Sequence, residues 1–286
     1  MYPHLKRALG RKDSLFAPIK MRSREARDID YSEGLLDTSQ PCAEMPRSAG
    51  ALWGSSLFVW SFLLARAGCQ EVSLSSGRLL GVHVQGAGAA RDYWAFRGVP
   101  FGAPPVDELR FKAPRPAASW DGVRDATVEG NMCPQVKNDQ VRGAEDCLNV
   151  NVYTPSLDCP AEGYAVLVFF YGGSLIEGSN RYAPEYGPDF LVHHDVVLIL
   201  PNYRVGAFGF LNLNTPGIPG NAGLKDGLLA LRWVRDNARA FCGDPDRVTI
   251  MGQSAGAKMV AYLALAEGGR GTYERPCMAT TMSPPT

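Results

Sequence analysis

Two short runs in the 286-residue chain are continuously apolar, VLVFFY at 166–171 and VVLIL at 196–200, and a third run, VTIM at 248–251, reads as a further buried strand. Continuous apolar runs of this length are the pattern of strands buried on both faces, as in a parallel sheet covered by helices. Between the second and third runs, the apolar residues Leu224, Leu228, Leu231, Val234, Ala238 and Phe241 recur in steps of three and four. That spacing draws one stripe along a helix, and Gly243 with Asp244-Pro245 follows as its stop. Strand, crossover helix and strand alternate, so the expected class is α/β with a mainly parallel central sheet.

Around this frame the remaining elements are coarser. Alternation over residues 70–84 suggests a hairpin turning at Ser75-Ser76-Gly77, and residues 148–153 form a further strand candidate. Residues 93–116 are rich in Pro and read as irregular chain wrapping a surface. Lys+Arg and Asp+Glu number 29 each and charged residues make up 20% of the chain. A polyelectrolyte tail and a largely disordered chain are thereby excluded, and a nucleic-acid partner is disfavoured because no cationic surplus exists to meet phosphates. No 18-residue apolar run supplies a stable membrane span.

The amino-terminal 67 residues differ from the rest. Residues 1–44 show no sustained period and read as a disordered extension. Residues 45–67 have the parts of a secretory signal in order: Met45-Pro46-Arg47, an apolar core over 51–64, and small residues at Ala65 and Ala67. A buried helix is the alternative, and if Met1 is the start the run becomes an internal signal or marginal anchor. With a signal, the mature chain starts near Gly68 and is secreted. Seven cysteines agree with export, although an odd count leaves one unpaired. Cys133 and Cys147 bracket a polar loop suited to a disulfide, two free buried thiols being the alternative. Cys242, at the end of the amphipathic helix, reads as a small core residue. No Cys or His pattern suggests a metal, and no cofactor is implied.

Chemistry enters at the third run, which leads directly into Gly252-Gln253-Ser254-Ala255-Gly256 and then AKMVAYLAL. G-x-S-x-G works where a chain leaves a strand, turns sharply and enters a helix, holding the Ser exposed at the carboxyl edge of a sheet. Gly252 and Gly256 fit such an elbow because a Cβ there meets the neighbouring strand and helix. The competing reading is a small-residue turn without a nucleophile. Tyr171-Gly172-Gly173-Ser174 follows another buried strand, where glycines let backbone N–H groups face a developing oxyanion. Taken alone, that pair of glycines is more often only a turn.

The segments YWAFRGVPFGAPP, EDCLNVNVYTP, FFYGGS, NYRVGAFGFLNL and GNAGLKDGLLALRWVRDNARAFCGDPDRVTIMGQSAGA, in this order, resemble the type-B carboxylesterase/cholinesterase family over roughly residues 70–265. The resemblance implies an α/β-hydrolase fold and a Ser–Glu/Asp–His mechanism acting on small-molecule esters. It matches Ser254 to the acylated serine, and the N–H groups of Gly173, Ser174 and Ala255 to the oxyanion donors. It pairs Cys133 with Cys147, and implies structural ion pairs of Arg97 with Glu145 and of Arg204 with Asp226. GQSAG and IPGNAGLKD look like the juvenile hormone esterase-like branch of arthropod carboxylesterases. Gly227, where Gln is usual, and Ser174, where Gly or Ala is usual, depart from the pattern. Residues 134–146 contain no Trp, Tyr or Phe, so a cation–π platform for choline esters is missing there.

In this fold the acid and the His follow the Ser. Only 32 residues follow Ser254, and none is His. Residues 68–265 are therefore expected to be the amino-terminal part of the domain, truncated after the nucleophile elbow, with 266–286 a tail outside the family. His193 and His194 precede the buried run at 196–200 and are poor candidates for a general base. Two functions remain open: an ester hydrolase inactive in this form for want of acid and His, or an esterase-like protein that binds or adheres without catalysis.

Overall fold

Alternating and continuous apolar strands assemble into one mixed sheet, seen in a computed structural model that describes residues 68–279 apart from 88–89, 138 and 182–186. The expectations for residues 1–67, extension and signal, lie outside the described residues. The strands are β1 (Cys69–Leu74), β2 (Gly77–Val84), β3 (Tyr93–Pro100), β4 (Val123–Asp125), β5 (Gln135–Lys137), β6 (Gln140–Arg142), β7 (Asn149–Thr154), β8 (Tyr164–Phe170), β9 (Val196–Pro201), β10 (Asn212–Thr215), β11 (Ile218–Pro219), β12 (Gly243–Gln253) and β13 (Arg275–Ala279). Helices are α1 (Pro188–Leu191), α2 (Gly206–Phe210), α3 (Ala222–Asn237) and α4 (Ala255–Leu265).

Among the described residues the main sheet has nine strands, ordered β1-β2-β3-β7-β9-β8-β12-β13 with β4 beside β2. Along β1-β2-β3-β7-β9 neighbours run antiparallel, β4 lies parallel to β2, and β9, β8, β12 and β13 run parallel. The all-parallel half is the one that the runs at 166–171, 196–200 and 248–251 specify. All six residues of β9 are buried, and those of β7 likewise. Each fully buried Val, Leu or Ile contributes about 1.5–3 kcal/mol by leaving water. The stripe on α3 is buried at Leu231 and Val234, with Ala238 and Phe241 continuing it in a 3₁₀ turn.

Four expectations need correction. Residues 93–100 are not irregular: Tyr93, Ala95, Phe96 and Val99 are buried, and the segment pairs with both β2 and β7 as strand β3. The stretch after it is indeed mostly without regular structure, holding one 3₁₀ turn at Asp107–Leu109 and a single bridge between Gly102 and Pro116. Residues 266–279 are not a tail apart, because β13 lies parallel to β12 in register from Thr249–Arg275 to Gln253–Ala279. Cys242 is buried, but as half of a disulfide with the exposed Cys159, which closes the β7–β8 connection onto the end of the α3 segment. The Cys133–Cys147 disulfide is present.

The fourth correction concerns charge. Glu145 pairs with Arg110 rather than Arg97: the Arg110 Nε and Nη2 donate to its two carboxylate oxygens at 2.6 and 2.8 Å. Arg97 sits beside a register shift in the β3–β7 pairing. Its backbone N–H donates to the Ala126 carbonyl at 2.6 Å and its Nη1 to the Thr127 carbonyl at 2.9 Å, which fixes it on another segment. Arg110, just past the 3₁₀ turn, is the guanidinium free to meet Glu145 as a fork.

Candidate active site

The strand–turn–helix at Ser254 forms as its glycines dictate. Ser254 joins β12 to α4 with φ 55° and ψ −118°, a conformation an L-residue rarely adopts and one that must be held by its surroundings. The holding is steric. A Cβ on Gly252 would overlap the Gly256 carbonyl, and one on Gly256 would overlap the Phe170 and Tyr171 carbonyl oxygens at the end of β8. Only glycine at both places lets helix, strand and neighbouring strand close around the corner. Ser254 is exposed there, and its side chain makes no capping bond to α4, so the hydroxyl is not spent on its own helix.

Beside the corner, β8 ends in a second irregular segment. Residues 172–178 leave the sheet and return so that Gly178 packs on the Tyr171 ring and near the Gly172 carbonyl. A Cβ built on Gly172 would stand 3.1 Å from the Ser254 Cβ, so the loop's first glycine lies against the serine. The Gly173 carbonyl accepts from the N–H groups of Ile176 and Glu177 at 3.0 and 3.1 Å. Peptide planarity then turns the Ser174 N–H the opposite way, out of the loop interior. Among the described residues, the N–H groups of Gly173, Ser174 and Ala255 donate to no other protein group. Ser174 and Leu175 both have positive φ, 56° and 63°, so this turn too is strained and must be supported.

Support comes from polar side chains far away in sequence. Tyr171 and Tyr203 stack with ring centroids 4.4 Å apart, and each hydroxyl donates to the other residue's carbonyl at 2.8 Å. Burial pushes the Tyr171 hydroxyl well above its ordinary pKa and raises that of Tyr203. Next to Tyr203, Arg204 forms a buried fork with Asp226 at 2.6 and 2.8 Å and reaches the Lys112 carbonyl at 2.8 Å. Asn180, 1% exposed, donates to Asn149 and to the Leu200 carbonyl, and its own N–H donates to the Asn202 Oδ1. Gln135, from within the Cys133–Cys147 loop, bonds both backbone groups of Gly178. Neither Gln135 nor Asn180 stands out by motif, and Tyr171 and Tyr203 lie in family-like segments that say nothing of their pairing. The visible signal is Asn149 and Asn151 in the buried strand β7, since polar residues buried on a strand require partners.

Histidines are elsewhere. His193 and His194 lie in a 3₁₀ turn just before β9. Val196 is level with Ala165 of β8, whereas Gly252, two residues before Ser254, is level with Phe170. Five strand residues, roughly 16 Å, therefore separate the two levels. His83 pairs with Trp94, which is level with Thr154 at the same far edge, several strands away. Among the described residues no histidine approaches Ser254, and none occurs after it.

Comparison with known proteins identifies the family and the fold. The pattern of the Carboxylesterase family matches residues 68–283, which runs past the expected boundary at Leu265. Esterase B1 of Culex pipiens is 42% identical over 189 residues, 65% of this chain and 35% of that protein. A juvenile hormone esterase of Tribolium castaneum is 40% identical over 191 residues, 65% of this chain and 32% of its own. Among solved structures, the juvenile hormone esterase of Manduca sexta with OTFP covalently attached superposes with a TM-score of 0.68 at 40% identity, over 74% of this chain and 41% of that one. The chain thus spans about a third of the length of these two curated relatives.

Proposed function

Since this chain belongs to the carboxylesterase family, we propose that it carries the acylation half of a carboxylic-ester hydrolase site, with Ser254 as nucleophile and the N–H groups of Gly173, Ser174 and Ala255 as oxyanion donors. The observation that carries the reading is the corner itself. A serine held at φ 55° beside Gly172, with its hydroxyl unused as a cap, has no structural task that would account for the strain. In the reaction, the Ser254 Oγ bonds to the ester carbonyl carbon while its proton passes to a base. The carbonyl oxygen becomes an oxyanion among the three donors, the alcohol leaves, and water releases the acid. One such donor contributes about 3 kcal/mol to the transition state in related chemistry.

Among the described residues no histidine stands beside Ser254 to serve as the base. An unassisted serine hydroxyl attacks poorly, so the 286-residue chain is expected to hydrolyse p-nitrophenyl acetate no faster than its Ser254→Ala variant. Ser254-dependent turnover in plain buffer would contradict this and would point to an unorthodox base. The substrate class is a small-molecule carboxylic ester. Disulfides at Cys133–Cys147 and Cys159–Cys242 support an oxidising, extracellular location. No helix among the described residues is long and apolar enough to cross a membrane. A second reading, a non-catalytic binding protein, draws on the distance between Ser254 and every described histidine.

A further inference from the structure

We infer that Gln135 is a positioning residue for the oxyanion donors, acting through Gly178 at the far end of the 172–178 loop. This rests on the Ser254 reading above and deepens it.

Gln135 is 8% exposed and its amide is used on both sides. Oε1 accepts from the Gly178 N–H at 2.8 Å, and Nε2 donates to the Gly178 carbonyl at 2.8 Å and to the Cys133 carbonyl at 3.0 Å. One side chain thus takes the place of a neighbouring strand for Gly178, satisfying both of its backbone groups. Such bonds are costly to leave unmade in a buried setting. Gly178 is also where the loop closes on itself: a Cβ there would overlap the Tyr171 ring and stand 2.7 Å from the Gly172 carbonyl. Gly172 in turn abuts Ser254. A displacement at Gly178 has only those contacts to cross before it reaches the donors.

The loop needs such a hold. Ser174 and Leu175 occupy left-handed backbone that neither residue type prefers, and such strain persists only where the surroundings over-determine it. The loop's own two bonds to the Gly173 carbonyl fix the direction of the Ser174 N–H, but not the position of the turn above Ser254. From outside, the Gly206 N–H holds the Leu175 carbonyl at 2.7 Å, and Gln135 holds the far end of the loop at Gly178. Gln135 is itself fixed, sitting two residues from Cys133 in a hairpin paired at Gln135–Arg142, Val136–Val141 and Lys137–Gln140, and closed by the Cys133–Cys147 disulfide. Lys137 and Glu177, 3.8 Å apart and largely exposed, touch across the same junction without holding it.

The test uses a boronic acid, because it needs no general base. Boron accepts the Ser254 Oγ, the hydroxyl proton passes to solvent, and an anionic tetrahedral boronate forms with an oxygen where the oxyanion would sit. Phenylboronic acid is titrated into the 286-residue chain and the tetrahedral species followed by ¹¹B NMR, alongside Ser254→Ala, Gln135→Leu, Gln135→Glu and Lys137→Ala. Folding is checked by thermal midpoint and intact disulfides. Expected are a Ser254-dependent signal in the unaltered chain, the same affinity in Lys137→Ala, and affinity weaker by about tenfold or more in the Gln135 variants, since small misplacement of such a site is costly. Gln135→Glu keeps the shape and one acceptor but loses the donors, and it decides the matter if Gln135→Leu fails to fold. Undiminished affinity in a folded Gln135 variant overturns the inference alone. No Ser254-dependent signal in the unaltered chain overturns the Ser254 reading and the inference with it.

Discussion

The corner at Ser254 and the loop at 172–178 stand side by side at the carboxyl ends of β12 and β8, and both hold residues in backbone they disfavour. Their means differ. The corner is set by exclusion: Gly252 and Gly256 leave room for one path of the chain and no other. The loop is set by attachment: the Gln135 amide holds Gly178, the Tyr203 hydroxyl holds the Tyr171 carbonyl at its start, and the Gly206 N–H holds the Leu175 carbonyl. Steric exclusion needs only the two glycines of a local motif and is indifferent to pH. Attachment is distributed along the chain, and its tyrosine hydroxyls titrate.

That contrast can be broken from either side. The largest loss is expected for Asp226→Ala, which strands Arg204 in the interior beside Tyr203; removing one partner of a buried pair costs about 3–5 kcal/mol. Urea unfolding would measure it. Gly256→Ala attacks the corner and should cost about 3 kcal/mol, because the methyl meets backbone carbonyls that cannot swing aside. A cost below about 1 kcal/mol would show that the corner is not sterically closed. Tyr203→Phe, which removes one bond of the tyrosine pair, should cost about 1–3 kcal/mol by leaving the Tyr171 carbonyl without its donor. Lys137→Ala, at the exposed junction, should stay within about 0.5 kcal/mol.

Alkali distinguishes the two regions without mutation. Burial raises the Tyr171, Tyr203 and Tyr153 hydroxyls, the last to about 12, above the value near 10 of a free phenol. The folded state then holds these protons more tightly than the unfolded state. Their contribution to stability is whole below about pH 10 and is lost as pH rises through the folded values. Absorbance of tyrosinate should accordingly appear late and together with unfolding. In Tyr203→Phe the same loss should be shallower, whereas Gly256→Ala should leave its slope unchanged.

The same contrast explains what the sequence made legible. A strand, a G-x-S-x-G turn and a helix follow one another within some twenty residues, so Ser254, Gly252 and Gly256 could be read together. The helix stripe from Leu224 to Phe241 and the buried strands were legible for the same reason, their periods being local. Pairings between distant segments leave no such trace. Nothing in the neighbourhood of Arg97 or of Arg110 says that Glu145 faces the second. Cys242 ends a helix stripe as a core residue would, and its bond to Cys159, 83 residues away, is invisible from there. Gly227 looked like a departure from pattern; in the fold its built Cβ comes within 3.3 Å of Leu263, so the glycine lets α3 approach α4 closely.

The central claim is that Ser254 and its neighbouring N–H groups form a competent acylation site that, in these 286 residues, wants only a base. Imidazole supplied in solution tests it most directly. Hydrolysis of p-nitrophenyl acetate is followed at rising imidazole for the unaltered chain and for Ser254→Ala, the variant reporting imidazole's own catalysis. The account predicts that the two rates coincide without imidazole and separate as it is added, the unaltered chain becoming faster. Rates that coincide at every imidazole concentration would contradict it.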